Sequence, residues 1–183
     1  MVWHSATPAI VMLTNQVEQG IVKCSCYWPT NVPLLFDHGA FAVFPVSIER
    51  NALMEKRIFR LEKGEIQKTV VHYKLNWPDF GVIDPQTLAE LVIEIDRLRT
   101  ENSSSPILAH CSAGLGRTGT FFAVLEGYDR LKMGAAAPGL VFEIVSQLRA
   151  ERPNMVQTKE QYRLIYDTLE ILSKRLAYFY GLT

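Results

Sequence analysis

Apolar residues run continuously or alternate along the first half of this chain and recur at helical spacing along most of the second. Ala9-Ile10-Val11-Met12-Leu13 is an unbroken apolar run ending in Thr14-Asn15, the pattern of a strand buried in a sheet covered on both faces. Phe41 to Ile48 and Arg57 to Leu61 predict further strands. A turn at Lys63-Gly64-Glu65 precedes a fourth strand, Ile66 to Leu75, rich in β-branched and aromatic residues. Leu88, Leu91, Val92, Ile95 and Leu98 then follow helical spacing. They predict a helix from Gln86 to about Arg99, with Pro85 in its first turn and Asp84 as its N-cap. Glu101 to Pro106 is a loop, and Ile107-Leu108-Ala109 a short buried strand. A glycine-rich turn leads into a helix over Thr118 to Met133, and Gly134 to Gly139 breaks it. Two more helices are predicted, at Leu140 to Arg149 and Lys159 to Tyr178. The second half thus alternates strand and helix, and neither repeats nor a linker interrupts the chain. The pattern predicts an α/β fold, a twisted mixed sheet flanked by helices, as one domain over residues 1–183.

Composition adds exclusions rather than a function. Of 183 residues 48% are hydrophobic and 21% charged, which is globular and too apolar for disorder. Nineteen basic residues balance nineteen acidic ones, so no global field draws nucleic acid or an anionic membrane, and any anion site must be local. No apolar run reaches the roughly 18–20 residues that cross a bilayer, and the first residues do not read as a signal peptide. Three cysteines, Cys24, Cys26 and Cys111, argue against a disulfide framework and for a reducing compartment. Cys24-Ser25-Cys26 has no second ligand pair at metal spacing, so no metal is expected. Asn102-Ser103-Ser104 matches a glycosylation acceptor but marks only an exposed loop.

The chemistry concentrates in Ile107-Leu-Ala-His110-Cys111-Ser112-Ala113-Gly114-Leu115-Gly116-Arg117-Thr118-Gly119. Gly114-x-Gly116-x-x-Gly119 mimics a dinucleotide fingerprint, but that reading needs a second strand where this chain predicts another helix. The Gly-Lys-Ser/Thr of a P-loop is missing too. A different reading uses every residue. The turn between a strand and a helix aims successive N–H groups inward as an anion nest, strengthened by the helix N-terminus. Arg117 adds a planar fork suited to phosphate. Cys111, in the same field, is expected to ionise with a pKa of roughly 3.5–7.5, an activated nucleophile beside a phosphate cradle.

His110 to Gly119 closely resembles the signature of the tyrosine-specific, cysteine-dependent protein phosphatases. Trp77-Pro78-Asp79-Phe80-Gly81, 32 residues before the cysteine at Asp79, is similar to that family's mobile acid loop. Gln157-Thr158-Lys159-Glu160-Gln161-Tyr162, 40 residues after Arg117 at its start, resembles its glutamine loop. Val11 to Asn15, Glu18-x-Gly20, Lys23-Cys24 and Tyr27-Trp28-Pro29 are also similar, so the resemblance spans essentially the whole chain in order. It implies that Cys111 attacks phosphotyrosine and forms a phosphocysteine. Arg117 and the amides of Ser112, Ala113, Gly114, Leu115, Gly116 and Arg117 hold the phosphoryl oxygens, and Asp79, flanked by Trp77, protonates the leaving tyrosine. Gln157, helped by Gln161, orients the hydrolytic water, while Thr118 donates to the sulfur and His110 orients the turn from behind. Glu18 would pair with Arg117, and Lys23 would approach the acid loop. The resemblance implies neither metal nor cofactor, since Arg117 and amides meet the phosphate charge. It implies phosphotyrosine-containing proteins as partners and a cytoplasmic location, free or as the cytosolic part of a receptor-type protein. It also aligns Met1-Val2-Trp3 with the interior of the family's domain, leaving the N-terminal portion and its aromatic recognition loop without a counterpart. A non-catalytic phosphotyrosine-binding module is the competing class. Such a module is expected to lose the acid, cysteine or arginine, and Asp79, Cys111 and Arg117 are all present.

Overall fold

A computed structural model describes residues 1–51, 54–102 and 105–179. Ser103 and Ser104 of the glycosylation pattern lie outside the described residues. The chain forms two compact units interleaved in sequence. The first comprises Met1–Asn76 and Arg97–His110, the second Trp77–Asp96 and Cys111–Thr183. The chain passes from the first to the second twice, between Asn76 and Trp77 and again between His110 and Cys111.

The first unit is built on a six-stranded mixed sheet. Its strands in chain order are β1 (Ala9–Met12), β4 (Leu34–Phe36), β5 (Phe41–Arg50), β6 (Met54–Lys63), β7 (Ile66–Leu75) and β8 (Leu108–His110). A separate pair, β2 (Val17–Glu18) and β3 (Ile21–Val22), makes a short hairpin. The sheet order is β4-β5-β6-β7-β1-β8, antiparallel except that β1 runs parallel to both β7 and β8. All four residues of β1 are buried, as its unbroken apolar run requires of a central parallel strand. β1 fixes the end of β8, with Met12 opposite His110 and Leu13 N donating to His110 O at 2.8 Å.

β5 and β6 run longer than their apolar stretches predict. β6 extends into Glu55, Lys56, Glu62 and Lys63 because neighbours absorb those charges. Glu55 pairs with Arg57 and with Lys74, and Arg60 pairs with Glu62. Cations of Lys56, Arg60 and Lys63 lie over Tyr73, Phe44 and Phe41, cross-strand pairs of the kind that stabilise sheets. β5 carries Pro45 in its interior, and the register with β6 shifts between Pro45 and Ser47. A bulge is where a strand tolerates a residue without an N–H. β2, β3 and β4 were not expected. The hairpin turns at Gln19 and Gly20, both at positive φ (51° and 78°), the geometry of a tight two-residue turn.

The second unit holds most of the helical structure. α1 (Pro85–Glu101) begins in it and ends in the first unit, and α2 (Gly116–Lys132), α3 (Leu140–Glu151) and α4 (Lys159–Phe179) lie wholly within it. The expected alternation of strand and helix therefore stops at β8, since three helices follow with no strand between them. Asp84 caps α1 as the sequence predicts, its Oδ2 accepting from Thr87 N at 2.9 Å. α2 is buried on nearly all sides, so it is a core helix rather than an amphipathic one. α4 approaches it closely at Gly127, where a Cβ would lie 2.7 Å from Leu169 Cδ1.

Candidate active site

The second unit begins its second stretch with the turn that the sequence singles out. Gly114 takes φ +69°, a conformation glycine adopts without strain. This folds the chain so that Gly114 N donates to Cys111 Sγ at 3.2 Å. No side chain caps α2, which leaves the first N–H groups of that helix seeking an acceptor. The sulfur supplies one. Burial alone would raise the Cys111 pKa. The Thr118 hydroxyl and the N–H groups of Thr118, Gly114 and Leu115 outweigh it and hold the thiol below its usual range. Thr118 Oγ1 is buried and has no other hydrogen-bond partner, and its hydroxyl is among the groups that lower the thiol pKa. Cys111 is 7% exposed, while Ser112 and Ala113 are open to solvent.

Arg117 is the only arginine of this turn, and its side chain is 2% exposed. Its Nη1 donates to Trp77 O at 2.8 Å and its Nη2 to Asp79 Oδ1 at 2.9 Å. The acid loop therefore rests on the guanidinium through both its first residue and its carboxylate. The loop is itself a tight turn. Gly81 N donates to Pro78 O at 3.1 Å, and Trp77 Nε1 donates to Gly81 O at 2.9 Å. Trp77 is fully buried, whereas Phe80, at φ +56°, is 61% exposed.

The glutamine segment reaches the same turn from the other direction along the chain. A Cβ on Gly116 would lie 2.6 Å from Gln157 Oε1 and 3.0 Å from Gln161 Oε1, so glycine at this position is what admits both amides to the start of α2. A Cβ on Gly119 would lie 2.7 Å from Val156 N, and Val156 N donates to Leu115 O at 3.3 Å. Gln161 is fully buried and closes a capping box on α4. Gln161 N donates to Thr158 Oγ1 at 3.1 Å, and Gln161 Oε1 accepts from Thr158 N at 3.4 Å and Gln157 N at 3.0 Å. Its Nε2 reaches Gly81 O of the acid loop at 3.4 Å.

The second unit thus brings together Trp77, Asp79, Cys111 to Thr118, Gln157 and Gln161. His110, Glu18 and Lys23 belong to the first unit. There the Glu18 carboxylate accepts from Thr14 Oγ1 and Asn15 N, each at 3.0 Å, and Lys23 N donates to Gln16 O at 2.8 Å. Two arginines outside the predicted site also hold it. Arg149 donates from Nε to Met155 O and from Nη2 to Val156 O, both at 2.8 Å. Arg152 donates from Nη2 to Ala113 O at 2.9 Å and lies against Gly114. Neither had a sequence signal, but Thr158-x-x-Gln161 is a legible capping box. Among the described residues no group of three or more His, Cys, Asp or Glu is placed to hold a metal, and no helix is long and apolar enough to cross a membrane. What the site offers is a polarised thiol, an arginine fork carrying a carboxylate, and two amides, around a turn of inward N–H groups.

Residues 1–170 match the model of the protein-tyrosine phosphatase family. The chain is 34% identical to mouse tyrosine-protein phosphatase non-receptor type 20 over 185 residues, covering 98% of this chain and 42% of that protein. It is 36% identical to rat receptor-type tyrosine-protein phosphatase R over 181 residues, covering 97% of this chain and 26% of that one. The chain thus spans less than half the length of these curated relatives. The solved catalytic domain of human protein tyrosine phosphatase non-receptor type 18 superposes with a TM-score of 0.85 at 30% identity, over 93% of this chain and 62% of that one. A structure of PTPN18 with HER2-pY1196 phosphopeptides is equally similar, with a TM-score of 0.85.

Proposed function

This chain belongs to the protein-tyrosine phosphatase family, and from that premise we propose that it hydrolyses phosphotyrosine in proteins through a phosphocysteine intermediate. Cys111 Sγ, as the thiolate, attacks phosphorus while the bond from phosphorus to the tyrosine oxygen breaks. Asp79, as the carboxylic acid, delivers its proton to the departing oxygen. Arg117 and the N–H groups of the turn hold the equatorial oxygens, by positioning and electrostatics more than by covalent chemistry. In the second step a water oriented by Gln157 attacks phosphorus, and Asp79 takes back a proton. The sulfur–phosphorus bond breaks, and inorganic phosphate leaves. The thiolate is restored under the Thr118 hydroxyl, the donor that also lowers the Cys111 pKa.

The observation that carries this reading is the sulfur of Cys111 collecting donors from an uncapped helix start. An inert buried cysteine has no need of them. Arg117 adds a step of its own. Its guanidinium holds Asp79, so an arriving phosphate dianion competes with that carboxylate for the fork, and the released carboxylate takes up a proton from solvent to become the acid. Phosphopeptide binding by PTPN18 supports phosphotyrosine in a peptide as the substrate class. The test is phosphate release from a phosphotyrosine peptide by residues 1–183 and by Cys111→Ser. The reading expects turnover by the first and none by the second. Equal release by both, or none from a cooperatively folded wild type, overturns it.

A further inference from the structure

Unit 1 contains a line of polar groups, buried at Arg57 and His72 and half-buried at Tyr27 and His110, that no step above uses. Arg57 Nη1 lies 3.1 Å from His72 Nδ1, His72 Nε2 lies 2.9 Å from Tyr27 Oη, and Tyr27 Oη lies 2.6 Å from His110 Nε2. His72 is fully buried. Its ring stacks on Trp28, with centroids 5.3 Å apart and planes at 29°, and Phe59 and Tyr27 close its other sides. Arg57 lies over the same Trp28 ring at 5.0 Å. Its outer end is neutralised by Glu55, which also meets Lys74 and Arg50.

With both imidazoles neutral, one proton arrangement gives every donor of the line an acceptor. A guanidinium only donates, so His72 Nδ1 accepts. A neutral imidazole carries one proton, which must then sit on His72 Nε2 and point at Tyr27 Oη. The phenol has one proton, and the remaining acceptor is His110 Nε2. His110 is thereby left with its own proton on Nδ1. Burial, then the Arg57 charge, the neighbouring His110 ring and the Lys74 charge, lower the His72 pKa to about 3, and burial first of all raises that of Tyr27. Both groups keep these protonation states throughout the neutral range.

We propose that His72, oriented by Arg57, is a positioning residue for the reacting turn, setting through Tyr27 which nitrogen of His110 donates and hence how that ring is held. His110 is the residue whose peptide bond leads into Cys111, and its carbonyl is held independently by Leu13 N at 2.8 Å. With the ring fixed as well, the chain entering the cysteine turn is anchored at its main chain and its side chain. The consequence for rate rests on the proposed phosphatase chemistry, but the tautomers do not.

The chain has four histidines, few enough for long-range proton–nitrogen spectra of the histidine-labelled full chain to assign each tautomer. The wild type is expected to show His72 protonated at Nε2 and His110 at Nδ1. His72→Gln keeps an acceptor for Arg57 and a donor for Tyr27, whereas His72→Phe keeps the ring against Trp28 and loses both. Accordingly His110 becomes a tautomer mixture in the Phe variant. There kcat falls with KM unchanged, by less than the roughly 10²-fold that an ångström of misplacement costs, and His72→Gln recovers most of the loss. His110 protonated at Nε2 in the wild type overturns the proposal, as does a His110 tautomer identical in the Phe and Gln variants. Should the Phe variant not fold, the wild-type and Gln spectra decide alone. Expected tautomers in a wild type without turnover would count against the phosphatase reading and leave the proton arrangement standing.

Discussion

The acid loop and the glutamine segment meet the same cysteine turn, and they are held there by different means. Each contains a bulky residue in the left-handed region, Phe80 at φ +56° and Val156 at φ +60°, a conformation that costs energy unless its surroundings enforce it. For Val156 the surroundings are scaffold. The residue is 1% exposed, its carbonyl and that of Met155 are taken by Arg149, and a capping box closes the helix that follows. The acid loop instead rests on Arg117, through Trp77 O and Asp79, and leaves Phe80 61% exposed. Arg117 is also the group that the proposed chemistry gives to the phosphate. One loop is thus tied to scaffold, and the other to a contact that the substrate contests under the proposed chemistry. A residue that gives and retakes a proton gains from the second arrangement, and one that places water gains from the first.

The comparison breaks most visibly at Asp79. Asp79→Asn is expected to lower kcat by roughly 10²- to 10⁴-fold, the usual worth of a general acid, without weakening phosphopeptide binding by the Cys111→Ser protein. Weaker binding would mean the carboxylate supports the phosphate site rather than competing for it. Next in size is thiol reactivity. Donors lower the Cys111 pKa, whereas burial and then Cys26 raise that of Cys24. As pH falls through the ordinary thiol value of about 8.5, Cys24 is already mostly protonated, while Cys111 protonates only at lower pH. Iodoacetamide mapping at neutral pH is expected to find Cys111 modified ahead of Cys24, and Thr118→Val to move the Cys111 profile to higher pH. Equal rates, or an unmoved profile, would contradict the assigned donors.

Smaller effects test the other loop. Arg149→Met removes two bonds to carbonyls of a strained segment, at about 1 kcal/mol each. Urea unfolding is expected to show a loss of about 2 kcal/mol, with slower hydrolysis of the intermediate and unchanged phosphopeptide binding. Thr158→Ala deletes half of the capping box, worth about 1 kcal/mol, and is expected to shift the unfolding midpoint while leaving kcat near wild type. A kcat loss larger for Thr158→Ala than for Arg149→Met would reverse the assignment of scaffold.

Legibility in the sequence followed the range of the interactions. Ile66–Leu75 is a strand over the range its composition predicts, and the helices end within a few residues of their predicted limits, because periodicity and caps are local. The cysteine turn was legible for the same reason, since its strand, glycines, arginine and helix are contiguous. Strand ends were not, because Glu55, Lys56 and Lys63 belong to strands only through partners on β5 and β7. Arg149 and Arg152 look like surface arginines until the carbonyls of Met155, Val156 and Ala113 are brought to them. His72 reads as one polar residue in an apolar strand, and its meaning depends on Tyr27 and His110, 45 and 38 positions away. Gln161 shows the opposite lesson. Its resemblance is to a water-orienting residue, yet the local pattern Thr158-x-x-Gln161 also encodes the capping box that engages its oxygen.

The central claim is a covalent one, and trapping the intermediate tests it most directly. Gln157→Ala, with the water-placing amide removed, is mixed with a phosphotyrosine peptide, quenched in acid within the first turnover and digested for mass spectrometry. The account predicts a phosphoryl group on Cys111, formed as fast as tyrosine is released and lost more slowly than in wild type. Tyrosine released at that rate with Cys111 unmodified, or phosphate carried on another residue, would contradict it.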